Sequence, residues 1–187
     1  MKRIFLLIPL FLFVCKLYGQ DHNLHIVGRV APTLGFFNQG FSKGGEVEIY
    51  VHSQWILAGA GFTGMNQVNG NSDLYQNLLN LVSPSESFRS FYLFCGPRFQ
   101  RESLFFESRI GYGQADLDLW SAQVIEQNGN ATTIQWTDSS GIVWMVIGQI
   151  RMGAEIFKWL QISAGYTVQF GADLNVSRLD LGIGFQL

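Results

Sequence analysis

Few side chains in this sequence are of the types that perform acid–base or nucleophilic chemistry. The 187-residue chain has three histidines, His22, His25 and His52. Histidine supplies general bases and metal ligands near neutral pH, so these positions are the first candidates. Ser53 follows His52 directly, but no nucleophile and base are spaced so that they can be placed together, and His52-Ser53 is interpreted as a polar turn. The sequence therefore predicts no catalytic residues.

A metal site is the second kind of chemistry to consider. His25, His52 and Glu48 have side chains that ligate divalent transition metals. Nothing in their spacing selects a metal site over an ordinary polar lining. We therefore predict no metal and no cofactor.

The first residues have the pattern of a secretory signal. Two basic residues precede an apolar core over 4–14, and Gly19 is a small residue before the expected cleavage point. We predict a signal peptide over 1–19 and one mature domain over 20–187. The alternatives are a membrane anchor and a lipoprotein signal at Cys15. The apolar core is short for an anchor, and the residue before Cys15 is not the small one that lipidation requires.

Removal of the signal changes the charge and the cysteine count. Three of the 12 basic residues leave with it, so that nine remain against 14 acidic residues and the net charge falls from −2 to −5. No basic run remains that would bind nucleic acid. Cys95 becomes the only cysteine, which excludes an intramolecular disulfide and a thiolate zinc cluster.

The composition is apolar without long apolar runs. Apolar residues make up 48% of the chain and charged residues 14%, whereas about 25% of an average soluble domain is charged. The mean hydropathy is +0.16, which excludes a disordered chain. After the signal, no uncharged apolar stretch approaches the roughly 18 residues that a membrane-spanning helix needs. The apolar residues must therefore recur periodically.

The period is two residues, which is typical of a β-strand with one apolar face. Eight such segments are predicted at 23–37, 45–51, 55–63, 88–99, 103–119, 142–156, 160–172 and 177–186. The connections alternate between longer ones (38–44, 64–87, 120–141, 173–176) and tight turns (52–54, 100–102, 157–159). This alternation predicts an all-β fold, an eight-stranded antiparallel up-and-down transmembrane β-barrel with short periplasmic turns and longer extracellular loops.

Charged residues within the strands lie mainly opposite the apolar face. Ten of them share this parity, with equal numbers of each sign: Arg29, Glu46, Glu48, Arg98, Glu107, Arg109, Arg151, Glu155, Arg178 and Asp180. An arginine facing lipid costs about 2–4 kcal/mol near the midplane, so in a membrane these charges face the lumen. They predict a lumen plugged by paired charges, and the alternative is a narrow pore lined by charge.

Three charges do not follow this rule. Arg89, Asp116 and Asp118 share the parity of the apolar face, although all three lie near strand ends. A β-bulge near Gly113 would shift the phase there, since Leu117 also has the unexpected parity.

Four tryptophans are expected at the two membrane interfaces. Trp55 and Trp159 lie at or directly after tight turns, while Trp120 and Trp144 lie toward the longer loops. Indole rings are favoured at the boundary between lipid and water. The sequence therefore predicts an interfacial aromatic girdle from these four residues.

The signal, the alternating segments, the loop pattern and the last strand, SRLDLGIGFQL, together resemble the small outer-membrane barrels of the OmpX and OmpA transmembrane-domain type. The resemblance implies a monomer in the outer membrane of a Gram-negative cell, surrounded by lipid. The chain ends at Leu187, so the C-terminal aromatic residue usual in such barrels is displaced to Phe185. Some barrels of this kind modify lipid A, but His25 and His52 fall at the periplasmic end, away from the outer leaflet.

Two long loops are the predicted contact surfaces. In 64–87, Ser72 is placed to cap a short helix that ends before Pro84. In 120–141, Asn128-Gly129 predicts a hairpin whose exposed edge pairs with another chain. We therefore predict a structural or surface-interaction, adhesion-like role through these loops. The alternatives are a small-solute channel, a lipid-modifying enzyme and a soluble lipocalin-like binder.

Overall fold

The computed structural model describes residues 24–37, 40–67, 86–118, 120–128, 131–138, 140–171 and 175–187. Ten strands lie in these ranges: β1 His25–Phe37, β2 Gly40–His52, β3 Ile56–Gln67, β4 Ser87–Arg101, β5 Leu104–Asp118, β6 Trp120–Asn128, β7 Ala131–Asp138, β8 Gly141–Phe157, β9 Leu160–Phe170 and β10 Asn175–Gln186. No helix in the described ranges is long and apolar enough to cross a membrane. The predicted signal peptide and the predicted helix after Ser72 lie outside the described residues.

Eight of the strands close into an antiparallel barrel. Their order around it is β1-β10-β9-β8-β5-β4-β3-β2, and β6 and β7 form a separate two-stranded sheet. Barrel strands that are consecutive in the chain are neighbours in the barrel, and β5 pairs with β8 on either side of the inserted β6–β7 hairpin. Strand β1 pairs with β10 to complete the ring. The predicted all-β, eight-stranded antiparallel barrel is confirmed.

The pairing also gives the stagger of the barrel. We start at Phe36 of β1 and step from each residue to its paired residue on the next strand around the barrel. This path returns to β1 at Ile26, so the stagger is ten residues. The paired residues along it are Ser177, Val168, Gly148, Ile110, Cys95, Ala58 and Val51. Eight strands with this stagger tilt by about 40° from the barrel axis. A barrel of this size has an interior just wide enough for side chains to fill.

The barrel has a turn end and a loop end. At the turn end, strands are joined by residues 53–55, 102–103 and 158–159, and β1 begins and β10 ends there. The loop end carries the connection 68–86 and the hairpin of β6 and β7. In outer-membrane barrels the short turns face the periplasm and the longer loops face outward.

The first connection at the loop end is shorter than the sequence predicts. Strand β2 begins at Gly40 and not at residue 45, which leaves only 38–39 between β1 and β2. The stretch from Gly40 to Lys43 lacks clear alternation, but it pairs with Leu34–Phe37. The predicted loop 38–44 is therefore wrong. Residues 40–43 are part of strand β2 because their backbone pairs with β1, although their sequence does not alternate.

The predicted bulge near Gly113 is also wrong. Strand β5 keeps one register with β8 from Leu104 to Leu117. Asp116 stays on the outside and lies directly opposite Arg89 of β4. Opposite charges across a strand pair are mutually stabilising, so the outward charges need no shift of phase.

The hairpin of β6 and β7 continues the β5–β8 ladder. Leu117 pairs with Gly141, and Trp120 pairs with Asp138 in the same register. The ladder shifts by one residue only beyond Val124. The predicted two-stranded extension within 120–141 is confirmed, with residues 129–130 between its strands.

Candidate functional site

The outside of the barrel is covered by exposed apolar side chains. Leu181 is 69% exposed, Ile110 63% and Phe91 56%, and similar residues occupy the outward positions of all eight barrel strands. On β4 the apolar outward positions run from Phe91 to Phe99, about 20 Å of height at this tilt. That height is close to the apolar band of about 25 Å in known membrane barrels. A lipocalin-like binder would need its charged face outside, so that alternative is wrong.

Aromatic rings lie at both edges of this surface. Trp159 stacks on Phe157 and Phe185 at the turn end, with ring centroids 5.6 and 6.4 Å apart. Trp55 is also exposed at this end. Toward the loop end, Trp144 stacks on Tyr112 at 5.3 Å. These positions suit an interface between lipid and water. The side chain of Trp120 lies outside the described part of the chain.

The lumen holds the ten charges of the opposite parity, and they form ion pairs. Glu46 and Glu48 of β2 are at the centre. Arg151 reaches both carboxylates from across the barrel, with Nη2 3.2 Å from Glu46 Oε1 and Nη1 2.6 Å from Glu48 Oε2. Nη1 of Arg29 is 2.8 Å from Glu46 Oε1. These four side chains are at most 1% exposed.

Three further residues complete this central group: Arg178, Asp180 and Tyr92. Arg178 of β10 donates to Glu46, and Arg29 donates to Asp180. The hydroxyl of Tyr92 donates to Glu46 Oε2 at 2.8 Å. Charged hydrogen bonds of this kind offset the cost of removing the groups from water.

Arg109 links the centre to the turn end. Its Nη1 is 3.0 Å from Glu48 Oε1, and it also donates to Glu107. Arg98 Nη1 is 2.5 Å from Glu107 Oε1, and its Nη2 is 3.0 Å from Glu155 Oε1. Only the Glu155 side chain, 21% exposed, meets solvent. The ion pairs therefore run without a break from Asp180 to the turn end.

Aromatic side chains fill the space between the charges. The Arg109 guanidinium lies 4.5 Å from the centroid of the Phe94 ring and 4.8 Å from that of Tyr50. The Arg98 guanidinium lies 4.1 Å from the Phe105 ring centroid. Cations over ring faces are attracted by the ring quadrupole, most strongly where water is excluded.

An apolar cluster lies in the lumen toward the loop end. Its members are buried and come from strands around the barrel wall: Phe37, Met65, Phe88, Ala115, Leu117, Met145 and Val176. The sequence pattern did not predict this cluster. The residue that could have indicated it is Leu117, whose position in the alternation places it on the lumen side. Its side chain is buried in the lumen because β5 has no bulge.

The histidines lie at the turn end. His25 and His52 are directly opposite in the β1–β2 ladder, with ring centroids 5.3 Å apart. Glu48, the third residue of the metal set considered from the sequence, instead bonds arginines at the centre. Among the described residues, no group of three or more His, Cys, Asp or Glu is arranged to hold a metal ion.

The His52-Ser53 pair has the geometry of a turn. His52 Nδ1 is 3.3 Å from the Ser53 carbonyl oxygen, and Trp55 N donates to Ser53 Oγ at 3.4 Å. The Ser53 amide donates to the Ile56 carbonyl at 2.9 Å. The Ser53 hydroxyl is thus turned toward the backbone and not toward the imidazole.

Comparison with known proteins identifies the fold. No family model matches the chain, and no curated protein matches its sequence. Among solved structures, the barrel is similar to Ail, the attachment invasion locus protein of Yersinia pestis, solved in complex with the heparin analogue sucrose octasulfate. The TM-score is 0.55 at 12% identity, over 88% of this chain and 97% of Ail.

Two other solved barrels have the same architecture. Neisserial surface protein A matches with a TM-score of 0.53 and 12% identity, over 88% of this chain and 97% of its own. A major outer membrane protein of Thermus thermophilus matches at 0.57 and 10%, over 89% and 100%. The predicted resemblance to small outer-membrane barrels is confirmed at the level of the fold. An outer-membrane location follows from this fold together with the apolar exterior.

Proposed function

We propose that this protein is a closed, non-conducting outer-membrane barrel with a surface-interaction role, in which the hairpin of β6 and β7 makes the contact. The observation that carries this proposal is the continuous register from β5–β8 into β6–β7. A ladder that continues past the last barrel pair forms a paired ribbon beyond the rim. The barrel then serves as the membrane anchor of that ribbon.

The lumen supports the closed state. Five arginines and five carboxylates of the lumen pair with one another, so the described interior carries balanced charge. A pore lined by charge would expose its charged groups to water, whereas Arg98, Glu107 and Arg151 are at most 1% exposed. The apolar cluster around Phe88 adds a second barrier at the loop end.

The hairpin has two outer strand edges. Within it, Trp120 pairs with Asp138, Ala122 with Trp136 and Gln123 with Gln135. In the described residues neither outer edge of this two-stranded sheet is paired with a third strand. Unpaired edges can accept a strand from another chain.

The charge of the loop end limits the kind of partner. The segments 68–86 and 119–140 contain no Lys or Arg, but they contain Asp73, Glu86, Glu126 and Asp138. An acidic surface favours neutral or cationic partners and disfavours polyanions. Ail has this fold and is an attachment and invasion protein that was crystallised with a sulfated heparin analogue. We propose that this protein also attaches to a partner at the cell surface, and that this partner is neutral or cationic and not a polyanion.

Removal of the hairpin tests this role. In the deletion variant, residues 120–138 are replaced by an Asn-Gly turn, and attachment of cells displaying it to other cells is measured. We expect attachment to fall to the level of cells without the protein. The matched control, Gln123→Ala with Gln135→Ala, changes one cross-strand pair and leaves the backbone edges of the hairpin in place, so it is expected to retain attachment. Undiminished attachment by a folded deletion variant would contradict the proposal.

A further inference from the structure

We propose that His25 and His52 form a site for a divalent transition-metal ion of the class of Zn²⁺, Ni²⁺ and Cu²⁺, at the turn end of the lumen. Imidazole nitrogen is a preferred ligand of these ions. The two residues are paired directly across β1 and β2, so the barrel wall fixes their spacing. Both lie at lumen-facing positions of their strands. This proposal is independent of the surface role.

The separation of the rings fits one shared ion. Their centroids are 5.3 Å apart and their planes are tilted by 31°. A metal bound at about 2.0–2.1 Å from an imidazole nitrogen lies about 3.2 Å from the ring centroid. Two such rings at a tetrahedral angle have centroids about 5.2 Å apart. The observed centroid separation therefore matches that of two imidazoles bound to one ion.

One nitrogen of His52 is already free to coordinate. Its Nδ1 is 3.3 Å from the Ser53 carbonyl oxygen, so Nδ1 carries the proton and donates it there. The lone pair is then on Nε2, which is buried and has no hydrogen-bond partner. The whole residue is 3% exposed. A histidine held by a backbone carbonyl through one nitrogen, with the other free, has the arrangement usual for a metal ligand.

His25 is held by a chain of side-chain amides. Its Nδ1 is 2.7 Å from Gln186 Nε2, and Gln186 Oε1 accepts from Gln161 Nε2 at 3.3 Å. The Tyr50 hydroxyl donates to Gln161 Oε1 at 3.2 Å. Glutamine amides can rotate so that oxygen and nitrogen exchange places. With both amides rotated, His25 Nδ1 donates to Gln186 and its Nε2 is free for the metal. Only the tautomer changes, and the net charge does not.

The surroundings can accept a cation. The charged side chains toward this end of the lumen are Arg98, Arg109, Glu107 and Glu155, two of each sign. Arg98 pairs with both carboxylates, at 2.5 and 3.0 Å, and Arg109 pairs with Glu107 and with Glu48. His25 is half-buried and near the mouth of the barrel, so ions and water have access. Water from the solvent side would fill the remaining coordination positions, since two protein ligands leave at least two open.

The test is a titration with Cu²⁺ of the untagged mature protein carrying His22→Gln, folded in detergent micelles. His22 is removed because Gln20-Asp21-His22 at a free N-terminus would itself bind Cu²⁺ through the amine, two amide nitrogens and the imidazole. Calorimetry measures stoichiometry and affinity, and electron spin-echo spectroscopy counts the coordinated imidazole rings. We expect one Cu²⁺ per barrel with two imidazoles. We expect His25→Gln and His52→Gln each to weaken binding at least tenfold.

The His22→Gln background leaves His25 and His52 as the only histidines of the mature chain. The matched control is the double variant His25→Gln with His52→Gln in this background, which should lose the site. Undiminished binding by the double variant would overturn the proposal, because it would place the ion elsewhere. Fewer than two imidazoles on the His22→Gln protein would also overturn it, and that measurement does not depend on whether any further variant folds.

Discussion

Gly182 of β10 lies against the guanidinium of Arg29 on the neighbouring strand β1. A Cβ atom at position 182 would stand 2.3 Å from Cζ, Nε and Nη2 of Arg29. That distance is far inside van der Waals contact. Arg29 bonds Glu46 and Asp180 from this position. The central ion pairs therefore depend on the absence of a side chain at the adjacent position.

Gly182→Ala should consequently destabilise the barrel. Arg29 cannot move aside without breaking buried ion pairs, and overpacking of this kind costs about 1–3 kcal/mol. Gly28→Ala is the matched control, because a Cβ there meets no atom within 4 Å. Urea unfolding followed by tryptophan fluorescence measures both. Equal midpoints for the two variants would show that Gly182 is not needed for the fit of Arg29.

Arg151→Met tests the ion pairs themselves. The change leaves Glu46 and Glu48 buried with one fewer positive partner, and breaking a buried pair costs about 3–5 kcal/mol. Arg89→Met removes an exposed arginine outside the lumen and should change stability by less than about 1 kcal/mol. Heat-modified gel mobility and urea unfolding report both effects. A loss of stability no greater than that of Arg89→Met would show that the pairs contribute nothing specific.

Leu181→Arg tests which face meets lipid. Leu181 is 69% exposed on the outside, near mid-height of the apolar band. An arginine there should lower stability in a bilayer by about 2–4 kcal/mol. Asn66→Arg is the control, since Asn66 is exposed near the loop end and a charge near the interface costs about 0–1 kcal/mol. Unfolding from lipid vesicles measures the difference. Equal stability of the two variants would contradict the membrane orientation.

The alternation of residues along the strands was sufficient to predict the barrel. Apolar residues such as Leu181 recur on one face and charges such as Arg151 on the other. This binary pattern predicts strands with one environment on each face, and the number of segments with the alternation of short and long connections predicts the eight-stranded barrel. Which arginine contacts which carboxylate does not follow from parity, because those contacts cross the lumen between distant strands.

Two features depended on strand register, and the sequence did not determine it. The alternation of residues predicts which face each residue of β1 and β2 occupies but leaves the offset between the two strands open. In the structure Pro32 pairs with Gly45 and Phe37 with Gly40. The pairing of His25 with His52 is therefore visible only in the structure. The apolar cluster was missed for a related reason, since the inward parity of Leu117 was attributed to a bulge that β5 does not have.

The central claim is that the lumen is closed by its ion pairs and its apolar cluster. Single-channel recording in a planar lipid bilayer tests this most directly, with insertion of folded protein verified by its heat-modified gel shift. We predict no discrete, reproducible conductance step over many insertions. A stable unit conductance that recurs with the same size in independent insertions would contradict the closed lumen.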